Sequence, residues 1–113
     1  MQIDEQRPLK RYNNKTYYCP ISLAMDLVGG KWKGVILYYL LFGEKRFSEL
    51  KTIIPHITDM TLSIQLKKLE EDGLITRHVF GDKPPLKVFY KLTPFGEKLG
   101  PVLEQLCSWA LNI

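Results

Sequence analysis

A set of side chains between residues 58 and 72 has the types and the spacing of a surface that could read a DNA duplex. At about 100° per residue, these side chains share one face of a helix. That outer face consists of Met60, Ser63, Ile64, Lys67 and Glu71, and the opposite apolar stripe consists of Leu62, Leu66 and Leu69. A short helix with a narrow apolar stripe and a mixed, partly cationic outer face fits the major groove of DNA. The same pattern also describes a surface helix whose outer face is only solvated.

The flanking residues indicate where this helix begins and ends, and what precedes it. Thr58 can accept a hydrogen bond from a free backbone N–H of the first turn, and Gly73 can end the helix in the left-handed conformation. The preceding segment, RFSELKTII at 46–54, predicts another amphipathic helix, which Pro55 ends. Two short helices joined by a tight turn form the helix-turn-helix pattern, here at residues 46–73.

Residues 74–93, LITRHVFGDKPPLKVFYKLT, change from helical to alternating periodicity and predict a β-hairpin. Its Gly- and Pro-rich turn carries Lys83 and Lys87. A helix-turn-helix followed by a basic hairpin is a winged helix. The two lysines would then contact phosphates or the minor groove beside the helix, and Arg77 and His78 in the first strand could also reach the backbone. The alternative is that these side chains only keep an exposed hairpin soluble.

The remaining segments supply a core and a surface for self-association. Helices are predicted at residues 19–28 and 31–42, and the second is apolar nearly all round and therefore central. Residues 94–112 predict a long helix with more apolar surface than a small domain can cover, so we expect it to pack with residues 20–28 against a second copy. The predicted fold class is mainly α with a small β-hairpin, a winged helix-turn-helix that dimerises through its terminal helices. Such a homodimer would match a palindromic operator with half-sites about 34 Å apart.

Length and composition narrow the class of protein. The 113 residues fit a single domain, assigned to 19–113, and the net charge of +4 favours an anionic partner. No run of about 18 apolar residues predicts a membrane span, and the polar start predicts no secretory signal, so we expect a cytoplasmic protein. Residues 1–18 are charged and aperiodic, and they predict a flexible arm. Its basic residues either contact phosphate or belong to a disordered tail.

The sequence predicts no enzymatic chemistry. It lacks a Ser/His/acid set with supporting motifs, a Gly-rich phosphate loop, and paired His or Cys at the spacing of metal ligands. His56 and His78 are isolated, and His56 is interpreted as a turn or phosphate-side residue rather than a base. The carboxylates at 70–72 end a helix, so we interpret these carboxylates as solvated surface or caps. We therefore expect no catalytic residue, no cofactor and no metal.

Four motifs recur together in one known family: GGKW, RFSEL, LKKLEEDGLI and the junction from the wing to LTPFG. With the residues around them, they cover residues 18–111. This stretch resembles the HxlR-type branch of winged-helix bacterial transcription regulators. The resemblance implies a homodimeric, sequence-specific regulator that binds double-stranded DNA, and it identifies neither the operator nor an effector.

The resemblance also implies roles for residues of the recognition helix. In that family the helix begins with a small hydroxyl residue and carries polar or basic residues outward, which Thr58, Ser63 and Lys67 match. Met60 and Ile64 depart from the pattern, because a Lys or Gln is more usual there. These two apolar side chains could contact thymine methyl groups in the major groove or shift the preferred operator.

Two further positions match family residues near the phosphate backbone. Arg46 and Ser48 correspond to positions that typically lie beside the backbone at the turn. Lys31 and Lys33 lie at a helix N-terminus and could add to this contact. The resemblance therefore extends the expected DNA surface beyond the recognition helix and the wing.

Cys19 stands just before Pro20, at the start of the first predicted helix. A thiol near a helix N-terminus tends toward the thiolate, which is the reactive form. Members of the resembled family that sense electrophiles or oxidants often carry a cysteine just before this proline, which implies that modification of Cys19 changes DNA affinity. The alternative is a small buried residue at the dimer contact. Cys107, on the apolar side of the last helix, is interpreted as a core or interface residue or as a redox partner.

A second class of function remains open, in which the winged helix serves only protein–protein assembly. Met60 and Ile64 would then form an apolar contact, whereas the basic wing favours DNA. Salt dependence separates the two, because cation contacts to DNA weaken steeply between about 50 and 200 mM salt. Single-stranded RNA is disfavoured, since no aromatic stacking platform is predicted on an exposed sheet.

Overall fold

Six helices and five strands make up residues 10–113, the part of the chain that this computed structural model describes. The helices are α1 (Pro20–Val28), α2 (Lys33–Leu40), α3 (Phe47–Ile53), α4 (Asp59–Glu71), α5 (Pro94–Glu97) and α6 (Gly100–Leu111). The strands are β1 (Lys10–Tyr12), β2 (Lys15–Tyr17), β3 (Lys45–Arg46), β4 (Ile75–Phe80) and β5 (Lys87–Leu92). Helices α3 and α4 form the helix-turn-helix, and β4 and β5 form the wing, so the winged helix is confirmed. In this part of the chain, no helix combines the length and the apolar character needed to cross a bilayer.

The core lies between α2, the helix-turn-helix and the sheet. Helix α2 contributes Ile36, Leu37 and Leu40, which are all buried. The other buried side chains of this core are Leu50, Ile54, Ile57, Leu62, Leu66, Leu69, Leu74, Ile75, Tyr90, Leu92 and Leu103. The sequence predicts a helix covered on nearly all sides, but Val35 and Phe42 are 37% and 68% exposed. The described residues 10–113 therefore leave one side of this region uncovered.

Helix α4 begins and ends where its own sequence predicts. Thr58 Oγ1 accepts a hydrogen bond of 3.1 Å from a backbone N–H of the first turn, and Gly73 follows the last turn with φ +77°. The leucine stripe is buried, which fixes the face that α4 turns to the core. Lys51 of α3 contacts the start of α4. Its Nζ lies 3.1 Å from the Asp59 carboxylate and donates to the Ile57 carbonyl at 2.6 Å. These contacts join α3 to the start of α4.

The wing belongs to a three-stranded antiparallel sheet with the strand order β3-β5-β4. Strand β3 has two residues, and the second, Arg46, falls in the segment 46–54 whose sequence predicts a helix. Its register places Arg46 opposite Phe89 of β5. The start of the helix-turn-helix is thereby paired with the wing, which holds these two parts of the domain together.

The described part of the predicted N-terminal arm has regular structure. Strands β1 and β2 pair antiparallel, with Tyr12 opposite Lys15. The two residues between them, Asn13 and Asn14, have φ of +50° and +62°, which is the conformation of a type I′ turn. The expectation of an aperiodic arm is therefore wrong for residues 10–17. Residues 1–9 lie outside the described part of the chain.

The C-terminal segment is divided into two helices rather than forming one helix at 94–112. Thr93 Oγ1 accepts from the Gly96 backbone N–H at 3.0 Å and thereby caps the start of α5. Helix α5 ends at Glu97, and α6 begins at Gly100 with Pro101 in its first turn. Proline is favoured there because its missing N–H would have no partner in the first turn. The single helix predicted at 94–112 is thus interrupted between Glu97 and Gly100.

Candidate nucleic-acid interface

The outer face of α4 is not covered by the rest of the described chain. Met60 is 74% exposed and Ile64 is 46% exposed. Ser63 and Lys67 are exposed as well. Since the leucine stripe anchors the opposite face, this surface is held rigidly and stays available to a partner.

A polar groove of about 410 Å³ runs between α4 and the wing. Its lining residues are Ser63, Leu66, Lys67, Glu70, Arg77 and Tyr90. The groove brings together Lys67 of the helix and Arg77 of strand β4, and it places one carboxylate, Glu70, beside them. Two cations facing one anion give the groove a net positive charge, which suits a phosphate or the acceptor groups of bases.

The other flank of α4 faces the N-terminal hairpin. Lys68 and Glu71 line a second polar cleft there, of about 430 Å³, together with residues of the hairpin and of α1. The two neighbouring lysines of α4 therefore lie on different sides of the helix, with Lys67 on the wing side. Glu71, which the periodicity places on the outer face, reaches the edge of this second cleft.

The wing projects as an exposed hairpin. Lys83 and Lys87 are exposed as predicted, and neither lines the groove beside α4. Apolar side chains are exposed on the wing too, including Phe80 at 52% and Leu86 at 47%. His78 Nε2 lies 2.9 Å from a threonine hydroxyl of the same strand, so it has a polar partner within the wing.

The beginning of the helix-turn-helix lies against the wing. The guanidinium carbon of Arg46 is 5.9 Å from the centre of the Phe89 ring, a cation–π distance. The Arg46 backbone N–H donates to Glu49 Oε1 at 2.8 Å, which satisfies a free donor at the start of α3. Ser48 is exposed in the first turn of α3. Thr58 is exposed as well, with its hydroxyl oxygen already accepting the capping hydrogen bond.

The lysines at the start of α2 have partners away from this surface. Lys33 Nζ donates to the Asp26 carbonyl at 2.8 Å. Lys31 Nζ lies 4.8 Å from the centre of the Trp32 ring. Neither lysine lines the groove beside α4.

A separate apolar surface is formed by α1, α2 and α6. Both terminal helices, α1 and α6, pack against α2. Large apolar side chains exposed on the three helices are Ile21, Met25, Val35, Val102, Leu106, Trp109 and Leu111. Several exposed apolar side chains on helices that pack together are typical of an association surface.

The two cysteines are free and half-buried, and they lie at different places. Cys19 is the N-cap residue of α1, immediately before Pro20. The Cys107 thiol of α6 lies 3.9 Å from the Tyr38 hydroxyl of α2. This hydrogen bond is the main cause of a raised pKa at Tyr38.

Comparison with known proteins agrees with this architecture. Residues 27–113 match the HxlR-like helix-turn-helix family. YdeP, an HTH-type transcriptional regulator of Bacillus subtilis (strain 168), is 47% identical over 91 residues, which is 80% of this chain and 70% of that protein.

Solved structures of the redox regulator HypR are similar as well. The oxidized form superposes with a TM-score of 0.79 and 42% identity, covering 84% of this chain and 97% of that one. The reduced form has a TM-score of 0.80 and 41% identity, covering 83% and 92%. The chain therefore belongs to the HxlR-like helix-turn-helix family of transcriptional regulators.

Proposed function

We propose that this protein is a homodimer that binds palindromic double-stranded DNA and regulates nearby genes. The observation that carries the proposal is the uncovered outer face of α4, which adjoins a groove containing Lys67 and Arg77. An exposed helix beside clustered cations can lie in the major groove while phosphates neutralise the flanking charges. A DNA-binding regulator acts where the chromosome is, so we place it in the cytoplasm.

The residues of α4 have different proposed roles. Ser63 and Lys67 donate hydrogen bonds to base edges or phosphates, because both are exposed on the wing side of the outer face. Met60 and Ile64 contact thymine methyl groups, which are the apolar feature that the major groove presents. The apolar pair thereby favours operators with thymine at two defined positions of each half-site.

The flanking residues position the duplex rather than read it. Arg46, Ser48 and Thr58 contact the phosphate backbone at the start of α3 and α4. Lys83 and Lys87 of the wing contact phosphates or the minor groove beside the same half-site. Contacts of this kind fix the register of a protein on DNA but carry little sequence information.

The proposed homodimer forms through α1 and α6. These helices expose Ile21, Leu106 and Trp109, each at least half exposed in the single chain. Burial of such side chains is the main favourable term in association, and a two-fold axis through this surface would present two α4 helices to one duplex. Half-sites would then be centred about one helical turn apart.

The dimer interface can be tested with a matched pair of substitutions. Leu106→Glu, which puts a charge into the proposed interface, should give a monomer in sedimentation velocity experiments. Val79→Glu alters a side chain of the wing that is similarly exposed, 44% against 50%, and should leave the dimer intact. A Leu106→Glu protein that remains dimeric would contradict the placement of the interface.

Selection from random duplex DNA tests the DNA-binding proposal as a whole. The purified protein is incubated with a pool of random duplexes, and bound fragments are amplified and sequenced through several rounds. The proposal predicts an enriched inverted repeat whose half-site centres are about 10 base pairs apart. A pool without an enriched motif would contradict sequence-specific binding, and an enriched single half-site would contradict the dimer.

We further propose that Cys19 makes DNA binding sensitive to thiol modification. The support is its place at the start of α1, a helix of the proposed dimer interface, and the similarity to HypR, which is a redox regulator. Diamide takes two electrons and two protons from a pair of thiols as their sulfurs join, so Cys19 would form a disulfide with a second thiol. The operator affinity of the wild type should change with diamide, and that of Cys19→Ser should not. An equal response of both proteins would contradict the proposal.

The alternative function, a protein–protein assembly module without DNA binding, has one observation in its favour. Met60 is among the most exposed large apolar side chains of the described chain. Binding measured across salt concentrations separates the alternatives. A cation-mediated contact with DNA weakens as salt rises, whereas an apolar protein contact does not.

A further inference from the structure

The N-terminal hairpin at 10–17 contacts the end of the recognition helix through Tyr12. The Tyr12 hydroxyl donates to the Asp72 carbonyl at 2.7 Å, and Asn13 Nδ2 lies 3.3 Å from the Asp72 carboxylate. Asp72 is the C-cap residue of α4, where backbone carbonyls have no partner inside the helix. The Tyr12 ring also stacks on Phe95 of α5, with 5.9 Å between ring centres.

The hairpin is also attached to α1, through Asp26. The Tyr17 hydroxyl donates to Asp26 Oδ2 at 2.7 Å, and Lys15 Nζ lies 3.1 Å from the same oxygen. Tyr17 is 9% exposed, so its ring is buried against the body of the domain. The hydrogen bond from Tyr17, followed by that from Lys15, lowers the pKa of Asp26.

The geometry of the hairpin lets one face make both sets of contacts. Residues directly opposite each other in an antiparallel pair share a face, and side chains alternate along each strand. Tyr12 pairs with Lys15, and Tyr17 pairs with Lys10, so these side chains share one face of the ribbon. Each strand has only three residues, so the contacts to α1 and to the end of α4 are made by one short ribbon.

The polar cleft of about 430 Å³ lies between the hairpin, α1 and the end of α4. Open space there means that these elements lack a continuous apolar interface, so the hydrogen bonds of Tyr12 and Tyr17 add to the packing of their rings. On its other side, the end of α4 is held by Thr93, whose hydroxyl donates to the Gly73 carbonyl at 2.6 Å. Thr93 begins α5, which leads into α6.

We propose that the 10–17 hairpin is a positioning element, which fixes the end of the recognition helix relative to α1 through Tyr12, Tyr17 and Asp26. Because α1 belongs to the proposed dimer surface, the hairpin sets the distance and angle between the two α4 helices of a dimer. The consequence for DNA binding rests on the proposed function. Because the separation of the two α4 helices is fixed, the dimer discriminates between operators by the spacing of their half-sites.

Hydrogen exchange tests the mechanical link without DNA. The amides of Gly73 and Leu74 donate to carbonyls of α4 at 3.0 Å, so their exchange reports opening of the helix end. Tyr17→Phe removes only a hydroxyl, and that hydroxyl is bonded to α1 rather than to α4. If the hydrogen bond from Tyr17 to α1 also stabilises the end of α4 through the hairpin, these two amides should exchange faster in Tyr17→Phe. We expect an increase of roughly 2- to 10-fold, the range for one lost hydrogen bond.

Two further variants make this experiment decisive. Tyr18→Phe removes the hydroxyl of an adjacent tyrosine that is 81% exposed, and it should leave the exchange of Gly73 and Leu74 unchanged. Asp26→Asn, which weakens the same anchor from the α1 side, should reproduce the effect of Tyr17→Phe. Unchanged exchange at the helix end in both Tyr17→Phe and Asp26→Asn would overturn the proposal.

Operator spacing provides the second measurement. Wild type and Tyr17→Phe are titrated with the selected palindrome, with versions lengthened or shortened by one base pair, and with a single half-site. We expect the preference for the spacing of the selected palindrome over the altered spacings to be several-fold weaker in Tyr17→Phe than in the wild type. The affinity for the single half-site should stay unchanged. An unchanged spacing preference would overturn the proposed role. If the wild type bound no duplex, the proposed function would fail, and the exchange measurement alone would decide whether the hairpin positions α4.

Discussion

Replacing Lys67 with alanine should weaken operator binding much more than replacing Lys68, its neighbour on the same helix. Lys67 borders the groove between α4 and the wing, where it lies with Arg77. Lys68 borders the cleft on the hairpin side. The two substitutions remove the same charge and the same number of atoms from one exposed helix, so their difference reports only which side of α4 faces DNA.

The size of the effect follows from the interactions with DNA that each substitution removes. A good side-chain contact to a base edge is worth about 1–3 kcal/mol. In a dimer, the substitution removes one such interaction at each half-site, so even the lower value raises the Kd of Lys67→Ala roughly 30-fold. If Lys67 binds phosphate instead, the slope of log K against log salt becomes shallower by about 0.9 for each phosphate released. Lys68→Ala should change the Kd by less than about 3-fold and leave the slope close to that of the wild type.

The assay is fluorescence anisotropy with a labelled duplex of the selected sequence at several salt concentrations. Thermal unfolding of both variants checks that neither loses stability. Equal losses of affinity for Lys67→Ala and Lys68→Ala would mean that only the overall charge of the helix matters. A greater loss for Lys68→Ala would mean that the hairpin side of α4 faces DNA, and it would refute the proposed interface.

Three other changes test neighbouring features of the structure. Glu70→Gln should tighten DNA binding several-fold, because it removes an anion from the groove beside α4. Glu71→Gln should have a smaller effect, and the same anisotropy titration compares the two variants. The pKa of Asp26 is lowered in the folded protein. Its carboxylate therefore stabilises the fold above about pH 4, the pKa of an aspartate in an unfolded chain, and this stabilisation is lost as the pH falls through the pKa in the folded protein. The stability difference between wild type and Asp26→Asn should therefore disappear in acid, and a difference that persists would contradict the ion pair. Thr58→Ala should lower the free energy of unfolding by about 1 kcal/mol through loss of the cap; urea unfolding should show near-wild-type stability for Thr58→Ser, and equal losses would argue against capping.

The parts of the fold that the sequence predicts well are those encoded by neighbouring residues. The capping Thr58, the terminating Gly73 and the leucines between them specify α4 without reference to the rest of the chain. The alternating residues of the wing do the same for β4 and β5. In each case the periodicity and the end signals agree, so local preference and tertiary structure select the same conformation.

The missed elements are those that depend on distant contacts. Strands β1 and β2 have three residues each, too few for a clear period, and their hairpin is held by hydrogen bonds to Asp26 and Asp72. The adjacent asparagines at the turn were a usable signal, since asparagine tolerates positive φ. Strand β3 has only two residues, and it forms because they pair with the edge of β5.

The sequence identifies residues of the candidate site, but it does not show how they are arranged in space. Exposure of Ser63 and Lys67 follows from helical periodicity alone. Their proximity to Arg77 and Glu70 depends on how the wing packs beside α4, which no local pattern specifies. Periodicity also could not show that Lys67 and Lys68 border different clefts, because this requires the position of the N-terminal hairpin.

The most direct test of the central claim is the chemical modification of lysines with and without the selected duplex. Acetylation is read at each lysine by mass spectrometry, so one measurement covers the whole surface. Binding through α4 and the wing predicts that Lys67, Lys83 and Lys87 become protected by DNA. Lys68, on the hairpin side of α4, and Lys98, an exposed residue at the end of α5, should react as in the free protein. Protection of Lys68 and Lys98 with unchanged reactivity at the other three would contradict the claim that α4 and the wing face DNA.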